Sequence, residues 1–362
     1  MPAPQAQQQG GGSAPMNPFL SATYPYSEVV NTQTYTLAGA TISSGTINIT
    51  PGGYLRGLLM QVSSTGGSLG GSGSLNYDMP WAIINSITIE SIDGTPFLYP
   101  MSGYSYYLVS KFTRPWEGDP ASDPSYSNTV NPAWRMRFFL ESRNTIGVVP
   151  NTDARAQYRM RYDVASQTIA FAVAPTLYPS VTVELDLETY AQPDATDLSG
   201  VQNQQYPDGL ALQRFLSHQS GIALNTGTTT VQTARVGNLI RSLILVVRNS
   251  GGVRTDLTSD PIRMRLDNTQ LLVENRTHRD YENDRFYTPD GSIPTMSARP
   301  TGVYVYPRFH KPGSRQGFSW LATQAQSYLA WELNGGPSAG NLEIITEDLA
   351  IAGQVPGYLV GL

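Results

Sequence analysis

The chain of 362 residues contains no cysteine and few charged residues. Without cysteine there are no disulfides and no cysteine-based zinc sites, so stability has to come from packing or from assembly. Charged residues make up 14% of the chain, against about 25% in an average soluble protein. Lysine is limited to Lys111 and Lys311, so arginine supplies nearly all of the positive charge. Few charges are typical of a protein that hides much of its surface in contacts, and composition alone fits a secreted β-sandwich with polar, uncharged loops equally well. A GC-rich coding bias is the favoured explanation for the excess of arginine over lysine.

Several function classes lack their usual signals. No run of about 18 apolar residues predicts a transmembrane helix, and the N-terminus has no basic start and apolar core of a signal peptide. A net charge of −5 does not favour direct nucleic-acid binding, which needs a basic face. The three histidines, His218, His278 and His310, lack metal-binding spacing. No nucleophile elbow is present. We expect no enzyme, no cofactor and no metal site.

What is present points to an all-β protein with many turns. The chain has 34 Gly, 26 Pro and 21 Tyr, and its apolar residues follow strand patterns. In residues 181–190, Glu184, Asp186 and Glu188 alternate with aliphatic residues. That period of two predicts a half-buried strand whose three carboxylates lie on the solvated face, and a carboxylate-based site there is the less favoured interpretation.

Composition divides the chain into four parts. Residues 1–23 are a Gln-, Gly- and Pro-rich arm that we expect to be flexible. Residues 24–200 form a first β domain, 201–220 a polar connector with a short predicted helix at 210–215, and 221–362 a second β domain. The arm has no charged side chain, so it cannot neutralise a genome's phosphates.

The second half of the chain repeats the first. Residues 55–62 (LRGLLMQV) align with 240–247 (IRSLILVV), and both segments precede Gly-containing loops. Further on, the turn segment 92–98 matches 266–272, with Asp-Gly and Asp-Asn suited to tight turns. The repeat indicates duplicated β domains.

Each half has about eight predicted strands, the number in a jelly roll. Each also has a predicted short helix after its tight turn, at 102–112 and at 274–286. A seven-stranded immunoglobulin sandwich is the competing fold, but the helix and the absence of its cysteine pattern count against it. The predicted fold is therefore two eight-stranded jelly rolls side by side, a double jelly roll, with short helices and a flexible N-terminal arm.

In the order of its segments and their residue composition, the chain resembles the major capsid protein of tailless, membrane-containing bacteriophages of the tectivirus type. These proteins belong to the double jelly-roll lineage of adenovirus hexon. The resemblance rests on the following features, in chain order: a Gln-rich arm before Tyr24-Pro25; Thr32-Gln33-Thr34 within the first strand; the strand 84–92 leading through Asp93-Gly94 to the aromatic segment 104–107; the strands 134–140 and 158–162 on either side of 148–151; and the segment 275–286 leading to 300–306.

The resemblance implies a structural role. Such proteins form homotrimers whose six jelly rolls make a pseudo-hexagonal capsomer. Capsomers and minor capsid proteins build an icosahedral virion shell around an internal membrane and double-stranded DNA. The protein is made in the host cytoplasm, and its arm faces the membrane or a neighbouring subunit.

Five residues are candidate interface positions because apolar, aromatic and arginine side chains are enriched at interface centres. They are Phe19 and Leu20 at the end of the arm, Trp116 and Tyr126 in a long polar loop, and Arg254 in a second loop. Two alternatives to a shell subunit stay open. One is a carbohydrate-binding or carbohydrate-active β-sandwich in which exposed Trp116 and Trp134 stack on sugars, and the other is a trimeric phage spike or vertex protein.

Overall fold

Long β-strands follow the apolar segments of the sequence, and short helices lie between some of them. In the computed structural model, the described residues are 18–113, 129–141, 145–207, 210, 212–233, 235–256, 259–267, 270–275, 300–307, 320–323, 328–334 and 340–351.

The helices among the described residues are short, and the longest of them is buried. They are α1 (Pro18–Ala22), α2 (Gly103–Thr113), α3 (Gln167–Ala170) and a 3-10 helix (Trp81–Ile83). Helix α2 confirms the helix predicted at 102–112. It begins after Ser102, whose Oγ accepts a hydrogen bond from the backbone N–H of Ser105 (3.1 Å) as an N-cap does. Nearly every side chain of α2 is buried, which is typical of a helix enclosed by other elements.

The first half of the chain forms a two-sheet sandwich. One sheet has the strand order β1-β12-β4-β8, and the facing strands have the order β7-β6-β10, continued by β2 and β3. The strands are β1 (Pro25–Thr36), β2 (Ile42–Ser43), β3 (Ile47–Asn48), β4 (Tyr54–Thr65), β5 (Ser74–Leu75), β6 (Ile84–Glu90), β7 (Pro96–Met101), β8 (Ala133–Phe139), β9 (Val149–Pro150), β10 (Arg159–Val164), β11 (Phe171–Val173) and β12 (Ser180–Tyr190).

The second half forms a sandwich of the same kind. One sheet has the order β18-β15-β21-β13 and the other the order β14-β20-β16-β17. The strands are β13 (Leu212–Leu224), β14 (Thr228–Gln232), β15 (Leu239–Asn249), β16 (Ser259–Leu266), β17 (Gln270–Asn275), β18 (Val303–Pro307), β19 (Leu321–Ala322), β20 (Leu329–Asn334) and β21 (Gly340–Ile351).

Both sandwiches connect their strands in the same way. If β2 and β3 are counted as one interrupted strand and the short β5, β9, β11 and β19 are set aside, the described residues of each half form eight main strands. In both halves one sheet joins the first, eighth, third and sixth strands, and the other joins the second, seventh, fourth and fifth. This is the arrangement of an eight-stranded jelly roll. The repeat seen in the sequence is therefore a repeat of topology, with β4 and β15 as equivalent third strands.

The tight turns of the repeat also form as the sequence predicts. Gly94 has φ +88° between β6 and β7, and the backbone N–H of Thr95 donates to Oδ1 of Asp93 (2.9 Å). Asp267, at the equivalent turn between β16 and β17, has φ +48°. Positive φ is the conformation that Gly, Asn and Asp tolerate best. Strand β12 alternates as expected, with Val183, Leu185 and the other inward aliphatic residues buried.

A few predicted elements differ or lie outside the described residues. Residues 212–215 belong to strand β13 instead of a helix, because their backbone pairs with β21 in the sheet that both jelly rolls share. The chain therefore enters the second jelly roll inside the segment 201–220, which was expected to be a connector. The helix predicted at 274–286 lies outside the described residues except for the end of β17. Among the described residues, no helix is long and apolar enough to cross a membrane.

Candidate functional site: the seam between the jelly rolls

The two jelly rolls meet along a buried contact that we call the seam. Strands β7 and β13 pair in parallel, with Leu98 opposite Leu216, so one ten-stranded sheet runs from one jelly roll into the other. Helix α2 of the first jelly roll packs against β15 and β18 of the second. The seam therefore consists of β7, α2 and their neighbouring loops on one side, and of β13, β15, β18 and β21 on the other.

The sheet of the second jelly roll is buried on both faces at the seam. In β15, Leu243 and Leu245 pack into the core of the second jelly roll, whereas Ile244 and Val246 pack into the core of the first. Strand β21 alternates in the same way, because Ile344 joins the second core and Ile345 the first. A sheet covered on both faces has near-continuous apolar strands, which explains the long apolar run in β15.

Glu347 of β21 holds two arginines inside this apolar contact. Its Oε1 accepts hydrogen bonds from Nε of Arg214 and from Nη1 of Arg241, both at 2.6 Å. Oγ of Ser242 donates to its Oε2 (3.0 Å). Nη1 of Arg214 also reaches into the first jelly roll and donates to the carbonyl oxygen of Phe139 (2.5 Å). We call Arg214, Arg241, Ser242 and Glu347 the Glu347 cluster.

The electrostatics of the Glu347 cluster follow from its burial. The side chains of Arg214 and Glu347 are each 1% exposed. Burial alone raises the pKa of Glu347, but the charges of Arg214 and Arg241 outweigh it and lower that pKa to about 2. Burial lowers the pKa of Arg241. An ionised carboxylate between two guanidiniums at such depth is stabilising only while all of its partners are in place.

A second set of charged groups crosses the seam at Glu343, which lies on β21 four residues before Glu347. Oε1 of Glu343 accepts from Nε of Arg248 (2.6 Å), and its Oε2 lies 3.2 Å from Nε2 of His218. Oγ of Ser105, on α2 of the first jelly roll, donates to Oε2 (3.3 Å). Burial raises the pKa of Glu343, but the hydrogen bond with His218 and the charge of Arg248 outweigh it and lower the pKa to about 2.

Asp78 of the first jelly roll continues this network. Its carboxylate pairs with Nη1 of Arg248 (2.7 Å) and with Nε of Arg254 (2.9 Å). The guanidinium carbon of Arg254 lies 4.8 Å from the centre of the Tyr104 ring. Because Asp78 and Tyr104 belong to the first jelly roll and both arginines to the second, these contacts connect the halves of one chain.

A third set of charged groups lies next to the Glu347 cluster. Asp348 accepts two hydrogen bonds from Arg235, from Nε and from Nη2, both at 2.8 Å. Nη1 of Arg235 reaches Oη of Tyr99 in β7 of the first jelly roll (3.2 Å). Asn238 also donates to Asp348. Strand β21 thus supplies three carboxylates to the seam: Glu343, Glu347 and Asp348.

An open cavity of about 310 Å³ lies beside the Glu343 network. Asp78, His218, Arg248 and Glu343 are among the side chains that line it, and they pair with one another. Among the described residues, no group of three or more His, Asp and Glu side chains is arranged to hold a metal ion. The geometry of the seam suits mechanical connection of the two jelly rolls.

The end of the N-terminal arm is anchored on the first jelly roll. Phe19 of α1 is fully buried, and its ring packs edge-on against the rings of Tyr54 and Tyr190, with centroid distances of 5.3 and 5.9 Å. Burial raises the pKa of Tyr190 to about 12. Oη of Tyr54 donates to the carbonyl oxygen of Gln205 (2.7 Å), so the anchor also holds the link between the jelly rolls.

The structure places the predicted interface residues in different environments. Phe19 contacts its own chain, Leu20 is half-buried beside it, and Arg254 pairs across the seam. Trp116 and Tyr126 lie outside the described residues, as do residues 1–17 of the arm. Trp134, predicted to be exposed in the carbohydrate alternative, is instead buried, and its Nε1 donates to the carbonyl oxygen of Pro80 (3.3 Å). Its ring packs against that of Trp81 inside the first core, so Trp134 cannot stack on a sugar.

The sequence did not predict the buried ion pairs of the seam. Arg214 and Glu347 are 133 residues apart, and a strand pattern does not reveal which distant strands meet. A usable signal was present in residues 341–350 (NLEIITEDLA), where three carboxylates interrupt an otherwise apolar strand. Charges at such positions are almost never buried without partners.

Comparison with known proteins identifies the fold. No protein-family model matches the chain, and no curated protein matches its sequence. Solved structures do match it over nearly its whole length. The MCP of STIV (Sulfolobus Turreted Icosahedral Virus) has a TM-score of 0.61 and 12% identity, covering 94% of this chain and 100% of that one.

Two further matches agree. The major capsid protein P2 from bacteriophage PM2 has a TM-score of 0.54 and 10% identity, covering 91% of this chain and 99% of that one. PBCV-1 VP54 has a TM-score of 0.58 and 13% identity, covering 90% and 94%. The similarity of these chains is one of fold. Together with the strand order of both halves, it confirms the predicted all-β double jelly roll.

Proposed function

We propose that this chain is a major capsid protein, a structural subunit without catalytic activity that trimerises into pseudo-hexagonal capsomers of an icosahedral virion shell. The observation that supports this most is the joining of two jelly rolls of the same topology into one body by a shared sheet. Three copies around a threefold axis would place six similar jelly rolls in a ring. The solved structures with this fold named above include major capsid proteins.

The seam is well suited to such a role. A shell subunit has to transmit load between its neighbours without its own halves separating. Burial of β15 and β21 on both faces supplies a continuous apolar connection. The buried ion pairs at Glu343, Glu347 and Asp348 add contacts that depend on one relative position of the halves, because buried charges tolerate no loss of a partner.

The arm has a separate part in the proposal. Phe19 packs against Tyr54 and Tyr190 of the first jelly roll, so the described end of the arm is held at a defined place. The arm's lack of charge fits contact with an internal membrane or a neighbouring capsomer better than contact with double-stranded DNA. In the proposed virion, further partners are minor capsid proteins, and the subunit is made in the host cytoplasm before assembly.

Light scattering coupled to size-exclusion chromatography tests the proposal. The full chain is expected to elute as one species with three times the mass of 39.4 kDa. Obligate interfaces of this kind bury about 2,000 Å² or more, so the trimer should persist on dilution. A stable monomer at the concentrations of assembly would contradict the proposal. A trimer present in only a few copies per virion would instead identify a spike or vertex protein.

A further inference from the structure

A small cavity lies in the seam beside the Glu347 cluster. It has about 10 Å³ of room for the centre of a water-sized sphere, which is space for one small molecule or ion. Its lining comes from both jelly rolls and is mostly apolar, with one charged residue among the described side chains: Ile89, Phe97, Leu98, Tyr106, Phe138, Phe139, Leu140, Arg214 and Leu216.

Arg214 is the charged residue of this lining, and one of its nitrogens has no partner. Nε donates to Glu347 and Nη1 donates to the carbonyl oxygen of Phe139. Nη2 is buried and makes no hydrogen bond. The whole side chain is 1% exposed. A buried, charged donor without an acceptor is costly, and a guanidinium has five N–H groups to satisfy.

The chemistry of the cavity favours an anion. The two guanidiniums of the Glu347 cluster share one carboxylate, so these three side chains carry a net formal charge of +1. The one hydroxyl of the lining, on Tyr106, already donates its hydrogen to the carbonyl oxygen of Arg137 (2.8 Å). A water molecule usually makes about three hydrogen bonds in such places, but here the lining side chains offer it one unpartnered donor, Nη2 of Arg214, and one acceptor, Oη of Tyr106. An anion needs only donors and positive charge.

We propose that this cavity binds one monovalent anion of the size of chloride, held by Nη2 of Arg214. The anion completes the hydrogen bonding of Arg214 and offsets the positive charge of the Glu347 cluster. Because the cavity is lined by both jelly rolls, the bound anion stabilises the seam. The site is independent of the proposed shell function, since it concerns the folding of a single chain.

Two measurements on the unmutated full chain test the site. In the first, crystals grown in bromide are expected to give one anomalous peak within hydrogen-bond distance of Nη2 of Arg214. In the second, thermal unfolding is followed in sodium chloride and in sodium gluconate of equal ionic strength, because gluconate is too large for the cavity. Each tenfold rise in chloride above its dissociation constant is expected to shift the folding equilibrium about tenfold toward the folded state, whereas gluconate gives no such shift.

Two variants localise the effect. Arg214→Lys keeps the charge but removes Nη2, and it is expected to abolish the difference between chloride and gluconate. Arg235→Lys is the matched control, because Arg235 also forms a seam ion pair but does not line the cavity; it should retain the difference. Density at Nη2 without an anomalous signal in bromide would mean that the cavity holds water, and this would overturn the proposal. Equal stability of the unmutated chain in the two salts would overturn it as well.

Discussion

Replacing Glu347 by Gln is the sharpest test of how the seam is held together. The substitution keeps the size and shape of the side chain and removes its charge. In the native chain, Oε1 of Glu347 accepts from Arg214 and Arg241 at once. In the variant, a neutral amide carbonyl oxygen has to serve both guanidiniums, and the new NH₂ group takes the place of the oxygen that accepts from Ser242. Both arginines then remain buried with no negative partner in the Glu347 cluster.

The expected loss of stability is large because the groups are buried. Removing one partner of a buried ion pair typically costs about 3–5 kcal/mol, since the remaining charge stays uncompensated. A surface pair of the same chemistry is worth about 0–1 kcal/mol. Glu90 supplies the matched control, because it pairs with Arg159 at 3.4 Å while both side chains are more than a third exposed. Glu90→Gln makes the same chemical change at the surface.

Urea unfolding of both variants at one fixed protein concentration provides the assay, because assembly makes stability depend on concentration. We expect Glu347→Gln to lower the free energy of unfolding by about 3 kcal/mol or more relative to Glu90→Gln. An equal, small effect of the two substitutions would refute the reasoning, because it would mean that the buried cluster contributes no more than a solvated pair.

Three further predictions concern other parts of the chain. Phe19→Ala should cost about 3–5 kcal/mol through the cavity that it leaves, measured by urea unfolding, with the half-buried Leu20→Ala as a control of smaller effect. Acid should weaken the seam, because the pKa of Glu343 is lowered to about 2 from 4.5, so its stabilisation is complete above pH 4.5 and is lost as the pH falls toward 2. Glu347 titrates over the same range, so Glu343→Gln should reduce the fall in melting temperature between pH 4.5 and 2 without abolishing it, and an unchanged profile would argue against the role of Glu343. Gly103→Ala should destabilise the fold by about 1–3 kcal/mol, because the added Cβ would lie 2.4 Å from the carbonyl oxygen of Trp81. Gly39→Ala is the control, since its Cβ would have no atom within 4 Å, and it should leave the same thermal melts unchanged.

The local features of the fold were predictable from the sequence because they depend on near neighbours. The alternation in β12 follows from its period of two, and the turn at Gly94 follows from its Asp-Gly pair. Helix α2 follows that turn, where the sequence predicts a short helix at 102–112. The duplicated order of apolar run, loop and turn predicted two similar domains, and the strand orders of the two sheets in each half agree with it.

The relation between the halves was not predictable, because it depends on residues far apart in the chain. A strand that is buried on both faces, such as β15, loses its alternation and reveals neither of its partners. The same burial hides the strand at residues 212–215, where the sequence predicts a helix although β13 pairs with both β21 and β7. The carbohydrate alternative required an exposed Trp134, but its ring packs 5.0 Å from that of Trp81, more than fifty positions earlier.

Electron cryomicroscopy of the purified full chain tests the central claim most directly. If two jelly rolls joined at the seam make one shell subunit, averaged end-on views of the particle should have six lobes of similar size around a threefold axis. The two jelly rolls of each copy should be adjacent lobes in contact through β7 and β13. Particles with two lobes, or jelly rolls arranged end to end along one axis, would contradict the account.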